Sequence, residues 1–258
     1  MSATDFDYGG EVAEVVSKYK NPEEGEREAR LFGLLRLGTF QETFKGQKKS
    51  AAPQAVAIFH LLGENDKLDD GEPMFFTKTF PLKKGDKSFL HAKFIPAMGG
   101  MTRHKGFGTM INELTTVNLV GGKDKNEDGT PKYVNFKSMA AITDRMRKML
   151  DADPELAPLD NAIGFLREDQ LTKEALDYLH PTREFAGILM QTEEFLAGTH
   201  PCQELIQSIY DENPERYTAK SKDKAEDEEE ESGNQQQGNG AGQLPQEPAE
   251  QLDEEQEF

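Results

Sequence analysis

Short runs of apolar and polar residues broken by turn signals, with no sustained helical period, run along the chain from residue 29 to residue 142. Residues 29–44 (ARLFGLLRLGTFQETF) are apolar and aromatic but interrupted by glycines, which disfavours a helix and predicts one long, bent strand. After the basic loop 46–53 (GQKKSAAP), residues 54–62 (QAVAIFHLL) predict a second strand. The acidic turn 63–73 (GENDKLDDGEP) leads to a third at 74–82 (MFFTKTFPL). A short helix is predicted over 87–95, followed by the glycine-rich basic stretch 99–108 (GGMTRHKGFG). Residues 114–120 (LTTVNLV) and 133–142 (YVNFKSMAAI) flank a polar loop and predict a closing hairpin. Three strands, a helix and a hairpin follow the element order of a five-stranded OB-type barrel, so the predicted class is α+β, mainly β.

From Thr143 the texture turns helical, with Thr143 and Thr172 at N-cap positions and Pro154, Pro181 and Pro201 punctuating the segments. The predicted organisation is an N-terminal arm (1–28, with a short helix over 11–19), a barrel (29–142), a helical appendage (143–218) and a tail (219–258). The appendage is either packed on the barrel or a separate subdomain.

Composition changes this picture mainly at the tail. Of 258 residues, 35% are hydrophobic and 30% charged, with a net charge of -18. No stretch approaches the roughly 18 apolar residues of a membrane span, and residues 1–20 carry neither the basic start nor the apolar run of a secretory signal. Cys202 is the single cysteine, which excludes an intrachain disulfide and a multi-cysteine zinc site and fits a reducing compartment. The charge is unevenly placed. Residues 223–258 hold thirteen acids against Lys224 alone, whereas residues 29–141 hold seventeen Lys and Arg against eleven acids. The Gln-, Gly- and Pro-rich middle of the tail lacks the apolar surface to offset ordering entropy, so the tail is expected to be disordered.

Catalytic and metal motifs fare poorly. Asp124, Asn126 and Asp128-Gly129 imitate the start of an EF-hand loop, but the twelfth position is Asn135 and strands flank it; a hairpin turn explains the same residues. Gly106-Phe107-Gly108 lacks a dinucleotide context, the five histidines show no metal spacing, and no nucleophile elbow is present. The chain reads as a non-enzyme without a cofactor.

Aromatic and basic residues interleaved on the predicted strands are the more informative pattern. Arg36, Phe40, Phe44, Lys45, Lys48 and Lys49 occupy the first strand and its loop; Phe76, Lys78 and Phe80 share one face of the third strand; Tyr133, Asn135 and Lys137 share one face of the last. Rings for base stacking and cations for phosphates are what a single-strand groove requires. For any one Phe, a place in the barrel core is an equal alternative. The lysines on the same faces favour a solvated surface.

These residues resemble the OB-fold single-stranded DNA-binding proteins of tailed bacteriophages. The resemblance rests on Arg36-Leu37-Gly38-Thr39, Phe44-Lys45-Gly46, the strand 55–62 with its acidic loop, Lys78-Thr79-Phe80, Lys87-Ser88, Tyr133, Leu205-Ile206-Gln207 and Asn213-Pro214-Glu215-Arg216-Tyr217. It extends to the acidic end, Glu257-Phe258. It implies a protein of the host-cell cytoplasm that coats single-stranded DNA in replication or recombination. Its tail (Asp253, Glu254, Glu255, Glu257 and Phe258) would recruit replication and recombination proteins and guard the groove. A strand-annealing mediator and an OB-like protein-interaction module without nucleic acid are the competing readings. The pattern leaves oligomeric state open.

Overall fold

The computed structural model describes residues 21–218, except Lys45, Glu127, Asp128 and the side chain of Phe44. The expected helix at 11–19 and the whole acidic tail, including Asp253, Glu254, Glu255, Glu257 and Phe258, lie outside the described residues. The chain divides after Thr218 into two units.

Eight strands are found among the described residues: β1 (Gly25–Phe40), the two-residue β2 (Thr43–Phe44) and β3 (Gln47–Lys48), β4 (Ala52–Leu61), β5 (Phe75–Pro81), β6 (Leu114–Gly121), β7 (Val134–Ala141) and β8 (Gly164–Leu166). The main sheet runs β5-β4-β1-β6-β7, with β8 added in parallel along β1, while β2 and β3 form a separate small hairpin. All five predicted strands are present. The first begins at Gly25 rather than Ala29, so residues 25–28, expected in the arm, pair with β6.

β1 organises the sheet because it bends. Its first half pairs with β6 from Gly25 to Arg30, its second with β4 as far as Phe40, and the register shifts at Leu31/Gly33 and Arg36/Gly38. Beyond Arg30, β8 takes the edge that β6 leaves. Gly38 sits at φ 113°, in the region that favours glycine, and a Cβ there would fall 2.9 Å from Glu194 Oε2.

The anticipated closed barrel is not formed. No ladder joins β5 to β7 among the described residues, and these two strands remain the edges of the sheet. A π-helical turn (Leu90–Phe94) that continues into α1 (Ile95–Ala97) packs against these edges. Phe89, just before it, lies 5.0 Å from the Phe80 ring and 5.6 Å from that of Phe136 on β7. Both edges carry features that discourage strand addition: Lys78 and Pro81 on β5, and a register shift beside Lys137 on β7.

β1 and β4 are buried on both faces, which accounts for their nearly unbroken apolar runs. On one face Leu31, Leu34, Ala55, Ala57 and Phe59 pack with Phe76, Phe80, Phe94, Val117 and Leu119. On the other, Phe32, Leu35, Leu37, Val56 and Ile58 pack against Leu171, Leu176, Phe185, Leu189, Ile206 and Tyr217. The second partner set comes from the segment expected to be helical. It contains α2 (Asp144–Ala152), α3 (Lys173–Leu176), α4 (Glu193–Leu196) and α5 (Gln203–Glu212), with single helical turns between them. Thr143 and Thr172 cap α2 and α3 as expected, accepting from the Met146 and Ala175 amides. β8 is an unexpected strand in this segment, which is layered on the sheet and shares its core.

Polar pins complete the attachment. Glu194 accepts the Thr39 amide at 2.7 Å, and Glu184, 1% exposed, accepts the Thr79 hydroxyl at 2.9 Å. His200 accepts the Cys202 amide on Nδ1, leaving Nε2–H to donate to the Leu37 carbonyl at 3.2 Å. Burial, aided by the Arg30 charge, pushes His60 down to about 4. Burial and Arg183 push His180 down to about 4 against the opposing pull of Glu184. Both rings are therefore neutral when folded but protonate near 6.5 when unfolded, so the unfolded chain takes up more protons as pH falls. Stability is expected to be full above pH 6.5 and to drop by at most about 1.4 kcal/mol per pH unit per ring below it, less where solvent screens the ring. Urea midpoints at pH 7, 6 and 5 measure this; an unchanged midpoint at pH 5 would contradict it.

Candidate nucleic-acid interface

The structure separates the candidate residues into groups the sequence had merged. Phe76 (9% exposed) and Phe80 (2% exposed) belong to the core, so neither presents a free face to a base. They do share a face of β5 with Lys78, but it is the core face. Lys78 escapes burial because β5 is an edge: its Nζ lies 5.4 Å from the centre of Phe136 and 5.9 Å from that of Phe89. Arg36, half-buried, pairs with Glu168 at 2.9 Å and ties β1 to the segment after β8 rather than offering its charge to solvent. Phe40 is half-buried at the end of β1.

On the small hairpin Lys48 is exposed and Lys49 meets Glu42 at 3.3 Å. The Phe44 side chain and Lys45 lie outside the described residues. Tyr133 is half-buried with Lys132 Nζ 5.3 Å from its ring, and Lys137 is exposed on β7. The turn at the tip of this hairpin has Gly129 at φ 82° and its amide on the Asn126 carbonyl at 3.0 Å.

Coverage of the sheet decides where a ligand can lie. The outer face of β4 and β5 is closed: Gln54 is 2% and Thr77 5% exposed, and Thr79 is held by Glu184. Residues 163–217 therefore cover the face of β5 opposite to Phe76, Lys78 and Phe80, so the central strands leave no open sheet surface on that side among the described residues. Among the described residues no ladder closes the gap between the β5 and β7 edges, and Lys78, Phe89 and Phe136 along it are only half-buried. The chain leading along it is poor in acids, since residues 75–110 hold seven Lys and Arg against Asp86 alone. Lys84 and Lys87 are exposed, and Lys83, Phe89 and Phe136 half-buried. Phe89 and Phe136 were missed by the strand-face argument. The available signal was their direct adjacency to Lys-Ser and Lys137, next to chain edges.

A second cluster of cations is partly compensated internally. Glu113, with a side chain 5% exposed, is met by Arg103 at 3.2 Å, by His104 at 3.0 Å and by Arg147 of α2. Arg30 holds the other end of α2 through Asp151 at 2.8 Å. α2 buries no residue, so ion pairs anchor it, while Met146 and Met149 stay 36% and 60% exposed. Among the described residues no group of three His, Cys, Asp or Glu is placed to hold a metal ion, and no helix is long and apolar enough to cross a membrane.

No family model, curated protein or solved structure matches the chain.

Proposed function

We propose that the chain is a single-stranded DNA-binding protein of a phage replication or recombination system, coating the strand largely without regard to sequence. The observation that carries this reading is the acid-poor, lysine-rich gap at the sheet edges, where half-buried phenylalanines accompany the cations. Such a surface favours ligands that combine phosphates with flat rings, and stacking tolerates every base. The element order supports the same reading: three strands, a helix and a hairpin, with β1 paired to both the second and the fourth long strand, follow the OB plan in an unclosed form.

The acidic tail gives the second half of the proposal. Its thirteen acids compete electrostatically with DNA for the lysines, and its end, Asp253 to Glu255 with Glu257 and Phe258, recruits replication and recombination proteins. Removing residues 223–258 is expected to tighten binding to a labelled oligonucleotide several-fold at low salt. The gain should shrink toward 0.15 M salt, where the screening length is about 8 Å. Anisotropy titrations of the full and shortened chains at both salt concentrations measure this. Equal or weaker binding by the shortened chain would overturn the guarding role.

A further inference from the structure

We infer that the strand runs along the unclosed gap between β5 and β7, over the turn that packs there, with Phe89 and Phe136 as its stacking rings and Lys78 as a cation that changes partner on binding. This rests on the single-strand-binding reading and assigns it a path. Three observations carry it. The outer face of β1, β4 and β5 is covered by the chain's own residues 163–217, so that sheet surface cannot receive a strand. Phe89, at the start of the helical turn, and Phe136 on β7 meet nearly edge to face, at 77° and 5.6 Å between centres, and both are only half-buried. The Lys78 ammonium sits over both rings, where a base would lie.

A cation over a ring is exchangeable: the ring quadrupole attracts an ammonium weakly at a solvated site, whereas a phosphate carries a full charge. When a base takes the ring face, the ammonium turns to the neighbouring phosphate, so one ligand satisfies both groups. Lys83, Lys84 and Lys87 precede Phe89 on the same loop and continue the phosphate track. Selectivity for single strands follows, because only an unstacked base offers a free face to Phe89 or Phe136; in a duplex both faces are covered by neighbours.

The test uses the full chain, a fluorescent oligothymidylate and a range of salt concentrations. Phe89→Leu and Phe136→Leu keep apolar volume but remove the π face. Each is expected to weaken binding at least about five-fold, the low end of a stacking contribution, while leaving the dependence of log affinity on log salt unchanged. Lys78→Met is expected to lower that slope by about 0.7, the value for one single-strand phosphate contact. Wild-type binding with all three variants unaltered overturns the path and leaves the broader reading standing; absence of wild-type binding at low salt overturns the reading itself. Should a Leu variant be less stable, photocrosslinking of the wild-type chain to 5-iododeoxyuridine DNA decides. Crosslinks in peptides containing Phe89 or Phe136 support the gap, and crosslinks confined to the 42–49 hairpin overturn it.

Discussion

Ending the chain at Ile142 is expected to abolish cooperative folding of the strands that precede it. Phe32, Leu35, Leu37, Val56 and Ile58 are each no more than 1% exposed, and the cluster they form is completed by side chains from the segment after Ile142. Exposing a large apolar side chain costs about 1.5–3 kcal/mol. Five of them rival the roughly 5–15 kcal/mol of net stability typical of a domain. The same cut removes Glu194 from the Thr39 amide, Glu184 from the Thr79 hydroxyl and His200 from the Leu37 carbonyl. It also strips β8 from the edge of β1. Circular dichroism through a urea titration measures the outcome. A chain ending at Thr218 should unfold in one transition and a chain ending at Ile142 should show none. A cooperative transition in the shorter chain would mean that the strands need no second layer.

Phe80→Ala is expected to destabilise the protein by about 3–5 kcal/mol, the usual cost of emptying a buried phenylalanine site. The ring is 2% exposed and stands 5.0 Å from both Phe89 and Phe94, so its loss opens a cavity where the β5 edge meets the helical turn. Phe80→Leu, which retains most of the volume, should cost under about 1.5 kcal/mol. DNA affinity of the Ala variant should then fall only as its folded fraction falls. Denaturant midpoints beside binding titrations separate the cases. A Phe80→Ala protein of normal stability that has lost its affinity would place this ring on the binding surface instead.

Phe80 also shows where sequence reasoning stopped. Period-2 alternation correctly placed Phe76, Lys78 and Phe80 on one face, and the turn residues between apolar runs located all five long strands within a few positions. Which face was the core could not be read locally. A lysine between two phenylalanines looks like a solvated face unless the opposite face is known to be covered, and that cover arrives more than a hundred residues later, as Glu184 reaches Thr79. The ion partner of Arg36 was beyond local reading for the same reason, since Glu168 lies far along the chain. β8 has only three residues, too few for any period to register among the apolar positions around it. The unclosed gap is a tertiary outcome: Phe89 and the helical turn pack where a β5–β7 ladder would close a barrel. Charge was legible once divided, because the average of -18 combines a basic strand region with a tail of thirteen acids.

Binding of the intact chain to single-stranded and duplex oligonucleotides of equal length, followed by anisotropy as salt is raised, tests the central claim most directly. The account predicts saturable binding to the single strand whatever its sequence, weakened steadily by salt, with the duplex bound far less well. Failure to bind the single strand even at the lowest salt, or equal affinity for the duplex, would contradict it.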